Sequence, residues 1–126
     1  MPDDDSLLAP IHWEGESREV LASFPDGVKA SLGFALYELQ TGERPSLAVR
    51  RMQSLGAGVY ELKEGDAKTW YRVIYLSKID NVIYVLHCFE KQSRKTEKRD
   101  LQIAAQRLAL VRQRIQENRK HAKHAQ

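Results

Sequence analysis

A largely apolar run, Val82 to Phe89 (VIYVLHCF), passes without a break into Glu90, Lys91, Gln92, Ser93, Arg94, Lys95, Thr96, Glu97, Lys98 and Arg99. The run is too short to cross a bilayer and long enough for a strand. β-branched and aromatic residues dominate it, and apolar and polar residues do not alternate. That is the pattern of a strand covered on both faces. Any fold must therefore bury both sides of this strand and release a cluster of cations at its end. Those cations are either phosphate-binding groups held rigidly by a buried strand, or a charged loop that solvates its exit. The residues alone leave both readings open.

The elements around this strand follow from periodicity. Ile11-His12-Trp13 suggests a short edge strand. Ser17 is placed to cap a short helix to about Phe24, with Val20, Leu21 and Phe24 on one stripe. Pro25 interrupts it, and Asp26 restarts a helix as N-cap. Val28, Leu32, Ala35, Leu36 and Leu39 then share one face, and Gly42 stops the helix. Residues 42–58 look like a linker. Val59–Lys63 alternates like a half-exposed strand. Glu64–Lys68 forms a hairpin connection, Trp70–Leu76 the next strand, and Asp80-Asn81 the turn into the organising strand. From about Glu97, Leu101, Ala104, Ala105, Leu108, Val111 and Ile115 make a four-turn stripe. Arg107, Arg112, Arg114 and Arg119 lie elsewhere on that helix. The expected fold is α+β: two N-terminal helices, an antiparallel meander of three to four strands, and a C-terminal helix.

With 126 residues there is room for one core. The expected organisation is a flexible N-terminus (1–10), one domain (11–118) and a disordered basic tail (119–126). Residues 1–90 carry 9 Lys/Arg against 14 Asp/Glu, whereas residues 91–126 carry 11 against 3. This asymmetry points to a polyanion or an acidic partner at the C-terminal third. Cys88 is the single cysteine. With an acidic start in place of a secretory signal, it suggests the cytoplasm and no membrane. No Gly-rich phosphate loop, CxxC, HExxH or G-x-S-x-G pattern occurs, which argues against nucleotide-dependent, zinc and serine-hydrolase chemistry. His121 and His124 are too few for a metal site. No metal and no cofactor are expected.

Arg72 lies within an apolar strand, where a guanidinium needs an anionic partner: a bound phosphate, or Glu61 on the neighbouring strand. Lys91 stands at the exit of the organising strand. His87 titrates near neutrality and shares the parity of Phe89 and Lys91, so it is a candidate general base or a satisfied core residue. Arg50 and Arg51 are candidate nucleic-acid contacts in the linker.

The ordered set Val59-Tyr60-Glu61-Leu62-Lys63, Tyr71-Arg72-Val73-Ile74-Tyr75, Leu86-His87-Cys88-Phe89-Glu90-Lys91, Lys95-Thr96 and Ala105-x-Arg107 resembles the RelE/HigB toxin superfamily, in particular its phage-derived HigB-like branch. The similarity spans roughly Trp13 to Leu110. Gln92, Arg94 and Glu97 depart from the branch, which commonly has lysine, glutamine and proline there. The resemblance implies a RelE-like fold and a toxin of a type II toxin–antitoxin system. Its activity would be metal-independent endoribonuclease cleavage of mRNA, usually on the ribosome. It implies a cognate HigA-like helix-turn-helix antitoxin, and operator DNA contacted only through that complex. Lys95 matches the family's lysine before threonine, and Lys63 stands where the branch has arginine. The residue reading and the resemblance together give Arg72, Lys91, Lys95 and His87 as candidates for catalysis, with Lys63, Arg94, Lys98, Arg50 and Arg51 as candidates for RNA contact. Two other readings remain: a non-catalytic nucleic-acid or protein-binding module, and a toxin-like fold poisoning a protein such as a DNA gyrase.

Overall fold

The computed structural model describes residues 8–65, 68–92 and 97–124, without the side chains of 123 and 124. Arg94 and Lys95 lie outside the described residues. In chain order the elements are β1 (Ile11–Trp13), α1 (Ser17–Ala22), α2 (Asp26–Thr41), β2 (Ala48–Arg51), β3 (Val59–Gly65), β4 (Trp70–Ile79), β5 (Val82–Lys91) and α3 (Lys98–His124). The strands form one sheet in the order β1-β5-β4-β3-β2.

The α+β class and the β3–β4–β5 meander are as expected. The strand count is not, because the sheet has five strands. β2 arises inside the residues expected to be a linker, where Ala48–Arg51 pairs antiparallel with Tyr60–Lys63. Its four residues are all exposed, so no apolar alternation marked it. β1 lies at the opposite edge and runs parallel to β5, with Ile11 beside Ile83 and Trp13 beside Val85. A parallel neighbour requires a long crossover, which the intervening helices and strands supply.

The helix ends correct two local expectations. Ser17 does not cap α1. It is buried, and its hydroxyl donates to the Val85 carbonyl at 3.4 Å, tying α1 to β5. Pro25 rather than Asp26 is the N-cap of α2, in extended conformation (ψ 146°). The C-terminal stop is as read: Gly42 takes φ +85°, and its N–H and that of Glu43 bond the Leu39 and Glu38 carbonyls. Asp80 and Asn81 both have positive φ (53° and 65°), which closes the two-residue β4–β5 hairpin with the right-handed twist its strands need.

Two apolar layers flank the sheet. On one side α1 and α2 bring Leu21, Phe24, Leu32, Ala35 and Leu36 against Leu62, Tyr71, Val73, Tyr75, Ile83, Val85 and Cys88. On the other, Ala104, Leu108, Val111 and Ile115 of α3 cover Met52, Val59, Ile74, Leu76, Tyr84, Leu86 and Phe89. Thus β5 is covered on both faces, as its composition demanded. Ala105 is exposed and drops out of the α3 stripe. The α3 arginines are staples: Arg107 donates to the Leu86 carbonyl at 2.9 Å and Arg112 to the Ala57 carbonyl at 3.0 Å. Arg114 pairs with Glu14, and Arg119 with Asp80 at 3.2 Å. The helix continues to His124, into the stretch expected to be a disordered tail.

Candidate functional site

Strand alternation and register assemble the site. Antiparallel partners share a face. Gly65, Trp70 and Lys91 therefore form one row across β3, β4 and β5. Lys63, Arg72 and Phe89 form the next. Arg50, Glu61, Ile74 and His87 form a third, reaching β2. These rows lie on the α3 side of the sheet, beside the part that α3 covers.

His87 reaches this face through an irregularity. Ile74 pairs with His87 but Tyr75 with Val85, so Leu86 is an extra residue on β5. The bulge gives Leu86 and His87 to the α3 side in succession, as bulges re-aim side chains. Arg107 then donates to the bulge carbonyl of Leu86. Gly15 (φ +56°) makes room for that guanidinium, since a β-carbon there would collide with it.

The sequence placed Arg72, Lys63, His87, Lys91 and Arg50 as candidates, and the fold brings all five onto one face. It does not leave them equally available. Arg72 has no exposed surface and pairs with the buried carboxylate of Glu61 at 3.1 Å. Arg50, whose side chain is 59% exposed, reaches the same carboxylate at 3.4 Å. Lys91 is 9% exposed, pairs with Asp100 at 3.5 Å, and also contacts Glu97. Of the two partners left open for Arg72, the structure holds Glu61, and Lys91 at the strand exit is ion-paired as well. An apolar strand offers a guanidinium no water, so the neighbouring carboxylate takes the role of partner.

His87 is held on both ring nitrogens. Nε2 lies 2.9 Å from Asp100 Oδ1, and Nδ1 lies 3.4 Å from Arg107 Nη1. Arginine only donates, so Nδ1 accepts and the ring proton sits on Nε2, donated to Asp100. The ring stacks on Phe89 with centroids 4.9 Å apart. Burial lowers its pKa from 6.5, and the hydrogen bond to Asp100 opposes that without overcoming it. His87 is therefore a neutral, fully satisfied residue. Nδ1 is free to take up a proton only if the Arg107 contact opens.

Lys63 is the partly exposed cation of the face. Its Nζ stands 4.8 Å from the Trp70 ring centroid, and that ring covers Gly65, where any side chain would collide with it. Cation, indole and Arg50 make the solvent-facing part of the site. Lys98 is exposed at the start of α3.

Arg51 belongs elsewhere. One residue along β2 from Arg50, it faces the α2 side and lines a cleft of about 470 Å³ with Gln53, Gly56, Ala57, Gly58, Val59 and Tyr60. Adjacent sequence positions had suggested one arginine pair, but a strand separates neighbours to opposite faces. Sequence reasoning had offered Glu61 as a partner for Arg72, and the structure takes that alternative. It missed Asp100, in the first turn of α3, as the group that holds His87 and Lys91.

Cys88 offers no chemistry in the folded state. It is buried, and burial pushes its thiol up to about 12. Among the described residues no cluster of His, Cys, Asp or Glu fits a metal ion, and no helix is long and apolar enough to cross a membrane.

A family model described as phage derived protein Gp49-like (DUF891) matches residues 19–109, from α1 into α3 and well over half of the chain. That family is associated with the toxins of toxin–antitoxin systems. No curated protein and no solved structure matches the chain.

Proposed function

The chain belongs to the Gp49-like phage-derived family, and on that premise we propose that it is the toxin of a type II toxin–antitoxin module and an mRNA endoribonuclease of the RelE/HigB kind. One observation carries the reading: four adjacent strands bring Arg50, Lys63, Arg72, His87 and Lys91 into three neighbouring rows on one sheet face.

Cleavage by 2′-hydroxyl attack builds negative charge on the non-bridging phosphate oxygens, and fixed cations act most strongly on that transition state. In this proposal Lys63 and Arg50 meet the phosphate while Trp70 offers a face to a base. Arg72 acts as a positioning residue, because its guanidinium holds Glu61 and through it Arg50. His87 and Lys91 fix Asp100 at the start of α3, beside Lys98. Opening of the Lys91–Glu97 contact, whose carboxylate is largely exposed, would add a second ammonium to the site. The substrate is mRNA, met on the ribosome. The partner is a HigA-like helix-turn-helix antitoxin that covers this face and carries the complex to operator DNA. The compartment is the cytoplasm.

A second reading has one observation in its favour. Arg72, Lys91 and both nitrogens of His87 are engaged internally, as in a module that binds RNA without cutting it.

Induction in a growing bacterium, with mapping of mRNA 5′ ends, separates the two. The endoribonuclease reading requires growth arrest with new cuts. It also requires Lys63→Ala to lower cutting by about 10²-fold, the scale of a lost transition-state donor. Arrest or tolerance without new ends supports the non-cleaving readings, a binding module or a fold that poisons a protein target.

A further inference from the structure

The α2 side of the sheet, opposite the rows just described, carries a second concave surface. The 470 Å³ cleft shares Arg51 and Tyr60 with a neighbouring hollow of about 380 Å³. That hollow is lined by Leu39, Arg44, Pro45, Val49, Tyr75 and Ser77 as well. Tyr60 stacks on Tyr75 with centroids 5.7 Å apart, and Tyr60 remains partly exposed. Tyr75 stays a neutral phenol, its pKa pushed up to about 12 by burial and by Tyr60 beside it.

What separates this surface from the first is the state of its cations. Arg44 and Arg51 are exposed and have no hydrogen bond or ion pair among the described residues. No carboxylate lines either hollow; Glu43 stands beyond them, on the next wall with Lys78. The far rim of the 470 Å³ cleft is Gly56-Ala57-Gly58, which α3 fixes from the other side: Arg112 donates to the Ala57 carbonyl at 3.0 Å.

We propose that these two joined hollows bind single-stranded RNA, with the partly exposed ring of Tyr60 stacking a base and the Arg51 and Arg44 guanidiniums holding the flanking phosphates. Two unpaired guanidiniums beside an aromatic platform match a nucleotide's charge and π-face together. A duplex keeps its bases stacked inside, so an aromatic platform in a cleft selects an unpaired strand. The size suits one to two nucleotides. The inference rests on the reading that this protein acts on RNA. It adds a surface that would grip the strand away from the α3-side face.

The test is fluorescence anisotropy of a 5′-labelled, unstructured 12-nucleotide RNA with the purified full chain, across a salt series. Arg51→Ala and Arg44→Ala should each weaken binding about tenfold and flatten the salt slope by about one, while Tyr60→Leu weakens it about tenfold with the slope unchanged. Arg51 and Arg44 are exposed, so their variants fold whatever Tyr60→Leu does. The proposal is overturned if wild type binds no RNA, or if Arg51→Ala and Arg44→Ala bind like wild type while Lys63→Ala loses affinity. Binding that depends on Arg51 in a protein that cuts no RNA would sustain the cleft and defeat the endoribonuclease reading.

Discussion

The two faces of the sheet use the same residue types to opposite ends. On the α3 side, Arg72 and Arg50 share Glu61, and Lys91 sits against Asp100 and Glu97. On the α2 side, Arg44 and Arg51 project into open clefts with no carboxylate on the walls. A cation enclosed with its counter-ion holds strands and helix in register and gives little net attraction to a ligand. One left in solvent contributes almost nothing to folding and keeps its full charge for a phosphate. A row of cations on a sheet therefore marks a binding face through the members that keep exposure, Lys63 and Arg50 on the α3 side, and not through the enclosed Arg72 and Lys91.

The sharpest way to break this contrast is to remove the carboxylate at its centre. Glu61→Ala removes the carboxylate that pairs with the buried Arg72 guanidinium and should cost about 3–5 kcal/mol, read from urea unfolding at constant m-value. A loss below about 1 kcal/mol would mean the α3-side pair is as dispensable as the α2-side cations. Next comes Asp100→Ala, which deprives His87 and Lys91 of a common acceptor and should cost about 1–3 kcal/mol in the same assay.

Acid tests the α3 side through His87. The folded pKa of His87 lies below its unfolded value of 6.5, so the unfolded chain binds more protons and stability falls as pH drops through that unfolded value. The melting temperature of wild type should decline from about pH 7 to pH 5 more steeply than that of His87→Gln. Parallel profiles would show that His87 is not the neutral, enclosed ring described. The smallest effect is expected on the open face: Arg51→Ala and Arg44→Ala should change stability by less than about 0.5 kcal/mol while weakening RNA binding. A larger loss of stability would reveal an internal role for those guanidiniums.

Much of the fold was legible because it is local. The Asp80-Asn81 turn, the Gly42 stop, the α2 stripe and the doubly covered Val82–Phe89 strand each follow from a few consecutive residues. β1 was legible as an edge strand, but not its parallel partner some seventy residues away, and β2 was missed because it is held by backbone pairing with no buried side chain. The candidate site was legible as a set of residues but not as a state. Parity put His87 on the face of Lys91, and strand adjacency put Lys63 beside Arg72, but the register that joins the two pairs came from the folded sheet. The bulge at Leu86, the reach of Arg107 across Gly15, and the choice of Glu61 and Asp100 as partners are long-range facts. Lys95 and Arg94 lie outside the described residues, so their place is open to the cleavage experiments.

By itself, then, the sequence determined the α+β class, the meander and the identity of the polar groups carried by the strands. Periodicity and turn chemistry act over short stretches and are written in the residue order. Tertiary structure alone decided which cations are neutralised and which face solvent. Charge pairing depends on distances of a few ångströms between residues far apart in the chain, and only the packed sheet with its two helical layers sets those distances.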